Sequence, residues 1–218
     1  MEDAKGSNAA TPRRDARLNR ERLLLAAREV FATQGITVTL DDIARHAGVG
    51  VGTAYRNFAN KGELIDALLV GKFDEMVALA EDGLRDPDPW AGLRGFLEAF
   101  LARQQADRGL KQVLHEVAHS REPVQAARRR LAPAVGALVE RAKAAGVVRD
   151  DVAASDISFI NFMLGTVIEL SRDVQPELYR RYLDLLLDSL RPSAPAPAVG
   201  PLSAEQLLAA MERGPQPR

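Results

Sequence analysis

Apolar residues in this chain recur mostly at intervals of three and four, the period of a helix. No stretch alternates as a half-buried strand flanked by hairpin turns would. The first stripe is Leu23, Leu24, Ala27, Val30 and Phe31, and Gly35 ends it. Thr39 is placed to cap a short helix from about Leu40 to Ala47. Asp41 and Asp42 lie in its first turn, where the helix dipole favours anions. Gly48-Val49-Gly50 predicts a tight turn, and a second short helix follows from about Val51 to Phe58. Asn60 then caps a longer helix carrying Leu64, Ile65, Leu68 and Leu69 towards Leu84.

Asp86-Pro87-Asp88-Pro89 interrupts the pattern. Beyond it, Trp90, Leu93, Leu97, Phe100 and Leu101 share one stripe, with Phe96 beside it. Gly109 separates that helix from Leu110, Val113, Leu114 and Val117. Pro123 suits a helix start, Pro133 predicts a kink, and the segment extends to about Ala145. Ser155 is the expected cap of a helix through Asp173, and Pro176 opens another that ends near Leu190. Arg191 to Pro201 is rich in Pro and Ala and reads as a linker, and Leu202 to Arg213 as a short amphipathic helix. The expected fold class is all-α. It divides into an arm over 1–16, expected to be disordered, a first helical domain over 17–62, a second over 63–191, and a Pro/Ala-rich linker with a short helix over 192–218.

Composition narrows the chemistry. With aromatics at only 5%, Leu, Ala and Val must build most of the core. The absence of cysteine excludes disulfides, zinc–thiolate sites and iron–sulfur clusters and fits a reducing cytoplasm, the expected location. The most apolar window, Val152 to Leu170, is broken by Asp156, Asn161 and Glu169, so no membrane span is expected. Met1 to Arg20 lacks the apolar region of a signal peptide. A net charge of −1 conceals an asymmetry: residues 11–62 hold nine basic and five acidic side chains. A basic segment in an otherwise acidic chain points to nucleic acid or another acidic surface.

The two short helices around Gly48 describe a helix-turn-helix, with Ile43, Ala44, Ala47, Val49 and Tyr55 between them. Small Ala44 allows a close crossing, Gly48 tolerates positive φ, and Val49 fills the angle. The second helix then presents Val51, Gly52, Thr53, Arg56 and Asn57 outward, able to enter a major groove about 12 Å wide.

The run from Thr39 to Leu64, TLDDIARHAGVGVGTAYRNFANKGEL, resembles the signature of the TetR family of bacterial transcriptional regulators. The positions that carry the likeness are Thr39, Ile43, Ala44, Ala47, Gly48, Val49, Gly52, Thr53, Tyr55, Phe58, Lys61 and Leu64. The resemblance implies a three-helix DNA-binding domain and a larger helical regulatory domain. It also implies a homodimer on a palindromic double-stranded operator, released by a small-molecule effector. Carried over by position, Thr53, Tyr55 and Lys61 would hold phosphates, and Asn57 would do so where relatives often have His or Tyr. Arg56 and Val51 would face bases, Val51 through a thymine methyl only. Thr39 and Gly52 complete the expected DNA-facing set.

His115-Glu116-Val117-Ala118-His119 matches H-E-x-x-H, the zinc metalloprotease signature. A third ligand would have to be a carboxylate such as Glu122 or Glu140, because His46 belongs to the DNA-reading unit. A zinc-dependent hydrolase is therefore the alternative reading; the favoured one expects no enzyme, no metal and no cofactor. His115 and His119 then face solvent or line a ligand pocket, for which Met76, Trp90, Phe96, Phe100, Phe162 and Met163 are the other candidates. Arg128 to Arg130 reads as a solvated helix face. On the last strong helix, Leu178, Tyr179, Tyr182, Leu183, Leu185, Leu186, Leu187 and Leu190 cover far more than the roughly 100° stripe of a surface helix. Such a helix needs two burial partners. With the strip Ser158, Asn161 and Gly165 on the helix before it, this predicts a four-helix interface between two copies.

Overall fold

The computed structural model describes residues 12–106, 122–195 and 197–213. Among them every regular element is a helix. In chain order these are α1 (Pro12–Gln34), α2 (Leu40–His46), α3 (Val51–Asn57), α4 (Lys61–Arg85) and α5 (Pro89–Ala106), followed by α6 (Glu122–Ala144), α7 (Ala154–Ser171), α8 (Leu178–Ser189) and α9 (Ala204–Arg213). Of the described residues, those up to Leu68 form one compact unit and those from Leu69 onward another. The boundary expected at residue 62 thus falls after Leu68, because Leu64, Ile65 and Leu68 of α4 are buried with the first unit. Helix α1 also begins earlier than expected, at Pro12, inside the segment read as a disordered arm.

The first unit packs α1, α2 and α3 against one another. Leu23, Ala27, Ile43, Ala44, Ala54 and Leu64 are fully buried in it, and Phe58 nearly so. In the second unit α5 lies against α6 and α7, and α7 against α8. Its core comes from Leu93, Leu97 and Leu101 of α5, Leu138 and Val139 of α6, Ile157 and Leu164 of α7, and Tyr179, Leu183 and Leu187 of α8. Helices α4 and α5 meet at two glycines. A Cβ at Gly83 would lie 2.6 Å from the Gly92 carbonyl oxygen, and a Cβ at Gly92 would collide with the Gly83 carbonyl oxygen. Arg141 of α6 fastens the turn between them, donating to the carbonyls of Gly83, Asp86 and Pro87.

Two expectations change. Helix α7 starts at Ala154, with Asp156 accepting the Ala153 amide at 2.9 Å, so the cap lies ahead of Ser155. Buried Ser155 instead donates to the Leu202 carbonyl at 2.8 Å. Helix α6 carries Pro133 within its span, as one segment close to the expected bounds. The segment read as a linker, 191–201, is tied to the second unit: Arg149 donates to the carbonyls of Ser189 (3.1 Å) and Pro195 (2.8 Å). Among the described residues no helix is long and apolar enough to cross a membrane.

Candidate nucleic-acid interface

Helix α2 is fixed at both ends. At its start the Thr39 hydroxyl accepts the Asp42 amide at 3.2 Å, while the Asp42 carboxylate accepts the Thr39 amide at 3.0 Å, a reciprocal capping box. The Thr39 hydroxyl and amide, with Arg45 at 2.9 Å, hold the Asp42 carboxyl down to about 2. At its end the Gly48 amide donates to Arg45 and the Val49 amide to Ala44, the paired bonds of a Schellman motif. That motif needs a left-handed residue, and Gly48 supplies it at φ +64°. Buried Val49 closes the angle, and α3 begins one residue after Gly50.

With the turn set, α3 has a clear inside and outside. Ala54 and Phe58 are buried, whereas Val51, Gly52, Tyr55 and Arg56 are exposed and Thr53 and Asn57 half-buried. The structure thus brings together on one helix six of the eight residues expected to face DNA. Several are already tethered. Arg56 donates to the Thr53 hydroxyl at 2.7 Å, and the Asn57 amide to the Thr53 carbonyl at 2.9 Å. Tyr55 bonds the Asp41 carboxylate, which pushes the phenol above its ordinary pKa. Thr39 is exposed, but its hydroxyl already serves the α2 cap.

Lys61, the residue expected at a phosphate, is bonded to backbone. Its half-buried ammonium donates to the Ile36 carbonyl at 2.7 Å and the Val38 carbonyl at 3.0 Å, two of its three donor positions. It braces the connection between α1 and α2. Arg20, not singled out from the sequence, donates to the Asn57 carbonyl at 3.2 Å, and its guanidinium lies 4.3 Å from the Phe58 ring centroid. A cation at the carbonyl end of α3 also suits the helix dipole. Neither contact has a local signal, since the partners lie 25 and 37 positions apart.

Of the six ligand-site candidates among the described residues, four lie in or against the core of the second unit and two at its surface. Phe96 and Phe100 are buried in the core of the second unit, with ring centroids 6.1 Å apart, and half-buried Met76 and Trp90 pack against that core. The Trp90 ring is covered by the Arg191 guanidinium at 3.4 Å. Phe162 and Met163 are exposed on the outer side of α7, because Asn161, Leu164 and Gly165 take the inward positions. The small-residue strip therefore allows close packing within the chain. The outer face is bulky and apolar: Phe159, Phe162, Met163 and Leu170, with Tyr182 and Leu185 exposed on α8. Met163 and Phe159 do line a pocket of about 400 Å³ beneath the 191–201 segment, with Ile160, Leu186 and Leu190 on its other walls. The pair His115 and His119, and with it the H-E-x-x-H motif, lies outside the described residues. Arg129 and Arg130 pair with Glu122 and Asp74 at the surface.

Comparison with known proteins agrees with this geometry. Residues 23–68 match the family described as bacterial regulatory proteins, tetR family, and residues 88–192 the one described as transcriptional regulator SbtR-like, C-terminal domain. Among solved structures, the TetR transcriptional regulator SCO0520 from Streptomyces coelicolor is 34% identical with a TM-score of 0.64, covering 80% of this chain and 99% of that one. The HTH-type transcriptional regulator SAR0097 of Staphylococcus aureus is 36% identical over 86 residues, 38% of this chain and 44% of its own length. The HTH-type transcriptional activator FasR of Mycolicibacterium smegmatis is 34% identical over 126 residues, 55% of this chain. The chain spans 58% of FasR, so both of these curated relatives are matched over less than two thirds of their length.

Proposed function

Because the chain belongs to the TetR family of bacterial regulatory proteins, DNA-binding regulators of transcription, we propose that it is an effector-responsive repressor. In this reading it binds a palindromic operator in the cytoplasm as a homodimer. The observation that carries the reading is the exposed face of α3, held at a fixed angle by the Gly48 turn. Val51 and Arg56 meet base edges, Arg56 through a bidentate contact with guanine and Val51 through a thymine methyl. Thr53, Tyr55 and Asn57 hold phosphates, with Gly52 letting the backbone approach. Thr39 and Lys61 act mainly by fixing the elements that carry these groups. The apolar outer face of α7 and α8 supports a two-fold pairing of two copies, which sets two recognition helices on two half-sites. An effector held in the second unit acts by binding the DNA-incompetent arrangement more tightly.

Selection of bound duplexes from a random pool tests this: a palindromic site is the expected product. On that site Arg56→Ala should cost about 1–3 kcal/mol per half-site and relax preference at one base pair. Equal weakening on every single-base variant would make Arg56 a phosphate clamp instead. The name of the FasR relative favours activation as a second reading. A reporter behind the selected site decides between them, since loss of a repressor raises expression and loss of an activator lowers it.

A further inference from the structure

We propose that the first three turns of α1 form a second DNA contact, in which Arg17 grips the phosphate backbone beside the groove entered by α3. The inference rests on the DNA-binding reading above.

Residues 12–22 contain five arginines against Asp15 and Glu21. Arg14, Arg17, Arg20 and Arg22 are all exposed, and the first buried side chain of α1 is Leu23. The helix therefore extends about 16 Å beyond the point where packing begins. Helical stability in proteins comes mostly from packing of an apolar face, and none of the side chains described from 14 to 22 is buried. Its charge also opposes the helix dipole, which disfavours cations at an N-terminal end. A run that breaks two local rules together is accounted for by a partner that supplies negative charge.

Position decides which polyanion. Arg20 is bonded to the last carbonyl of α3 and lies against Phe58, so the basic stretch starts at the end of the recognition helix. Arg17 is one turn further out and on the same side of α1 as Arg20 and Leu24. Among the described residues its guanidinium pairs with Glu21 alone, at 3.6 Å, with 73% of the side chain exposed. Duplex DNA seated on α3 thus continues past Arg17, whereas Arg22 lies on the opposite side of the helix. The contact is to phosphate and carries no sequence information.

The test compares Arg17→Gln with Arg22→Gln in the full chain, on the selected operator over a salt series. Each variant removes one positive charge from the same helix. Arg17→Gln should weaken all operator variants alike and reduce the slope of log K against log salt by roughly 0.9 per subunit. Arg22→Gln should keep the wild-type slope. Equal losses in both variants would reduce the effect to overall charge and overturn the proposal, as would an unchanged slope in Arg17→Gln. Circular dichroism of both variants should match wild type, since neither side chain is packed; a helix loss confined to Arg17→Gln would also overturn the proposal. A wild-type chain that selects no duplex defeats the DNA reading itself, whereas one that binds while Arg17→Gln changes nothing defeats this inference alone.

Discussion

In the first unit the polar side chains near each turn bind backbone: Thr39 and Asp42 cap α2, Lys61 takes two carbonyls before it, and Arg20 takes the last carbonyl of α3. In the second unit carbonyl-binding side chains serve the α4–α5 turn (Arg141) and the segment after α8 (Arg149, Ser155), while the helices themselves are joined through an apolar middle, with Arg94 of α5 paired to Asp184 of α8 at the surface. The first arrangement fixes direction, because a hydrogen bond to a carbonyl is angular. The second supplies free energy, because burial of apolar surface is large and has no preferred direction. A unit that must present one helix at one angle has the first kind of construction.

The largest effect expected from this contrast is in the second core. Leu97 is fully buried, and Leu97→Ala should cost about 2–5 kcal/mol in chemical denaturation. At a temperature where the variant is folded, its operator affinity should stay close to wild type. A smaller loss of stability with a larger loss of function is expected at Gly48. A Cβ there meets nothing within 4 Å, so Gly48→Ala carries only the left-handed backbone penalty, roughly 1–2 kcal/mol. The strain turns α3 relative to α2, and loss of even one base contact weakens operator binding by about tenfold. Gly48→Asn, which accepts the same φ, should recover much of it. If Leu97→Ala lost operator binding and Gly48→Ala kept it, the division of labour would be reversed.

The smallest effect is a pH dependence of the α2 cap. The folded pKa of Asp42 is about 2, below the ordinary carboxylate value of 3.8. Folding therefore favours the ionised form, and its contribution is complete above pH 4 and lost as pH falls through about 2. An NMR titration of the Thr39 amide should show its midpoint near 2 and no change between pH 5 and 8. A midpoint at the ordinary carboxylate value would mean that the capping box does not form in solution.

The helix-turn-helix was legible because its determinants are local. Thr39 three positions before Asp42, and Gly48 after a seven-residue helix, state their geometry within one turn. Lys61 was legible as a position but not as a contact, since the carbonyls it binds lie across the fold. Periodicity marked α7 as apolar without saying which apolar side turns inward; Asn161 and Gly165 face in while Phe162 and Met163 face out. The stretch 191–201 has the composition of a linker, yet its carbonyls meet donors from Arg149 and, just beyond, Ser155. Composition reports which residues lack a side-chain reason to pack, and it is silent on backbone acceptors. The early start of α1 had a signal in Thr11-Pro12, a polar residue before a proline that suits the first turn of a helix.

The crossing of α4 and α5 limits how this sequence can drift. At most tight contacts a new methyl on one side can be offset by a smaller residue on the other. Gly83 and Gly92 offer no such exchange, because each is confined by the carbonyl oxygen of the other and a carbonyl belongs to every amino acid. Neither position can change first, and changing both adds two collisions. The only route out is a rigid shift of one helix, which would also draw the turn away from the three carbonyls that Arg141 holds. Substitutions should therefore accumulate around this pair and not in it.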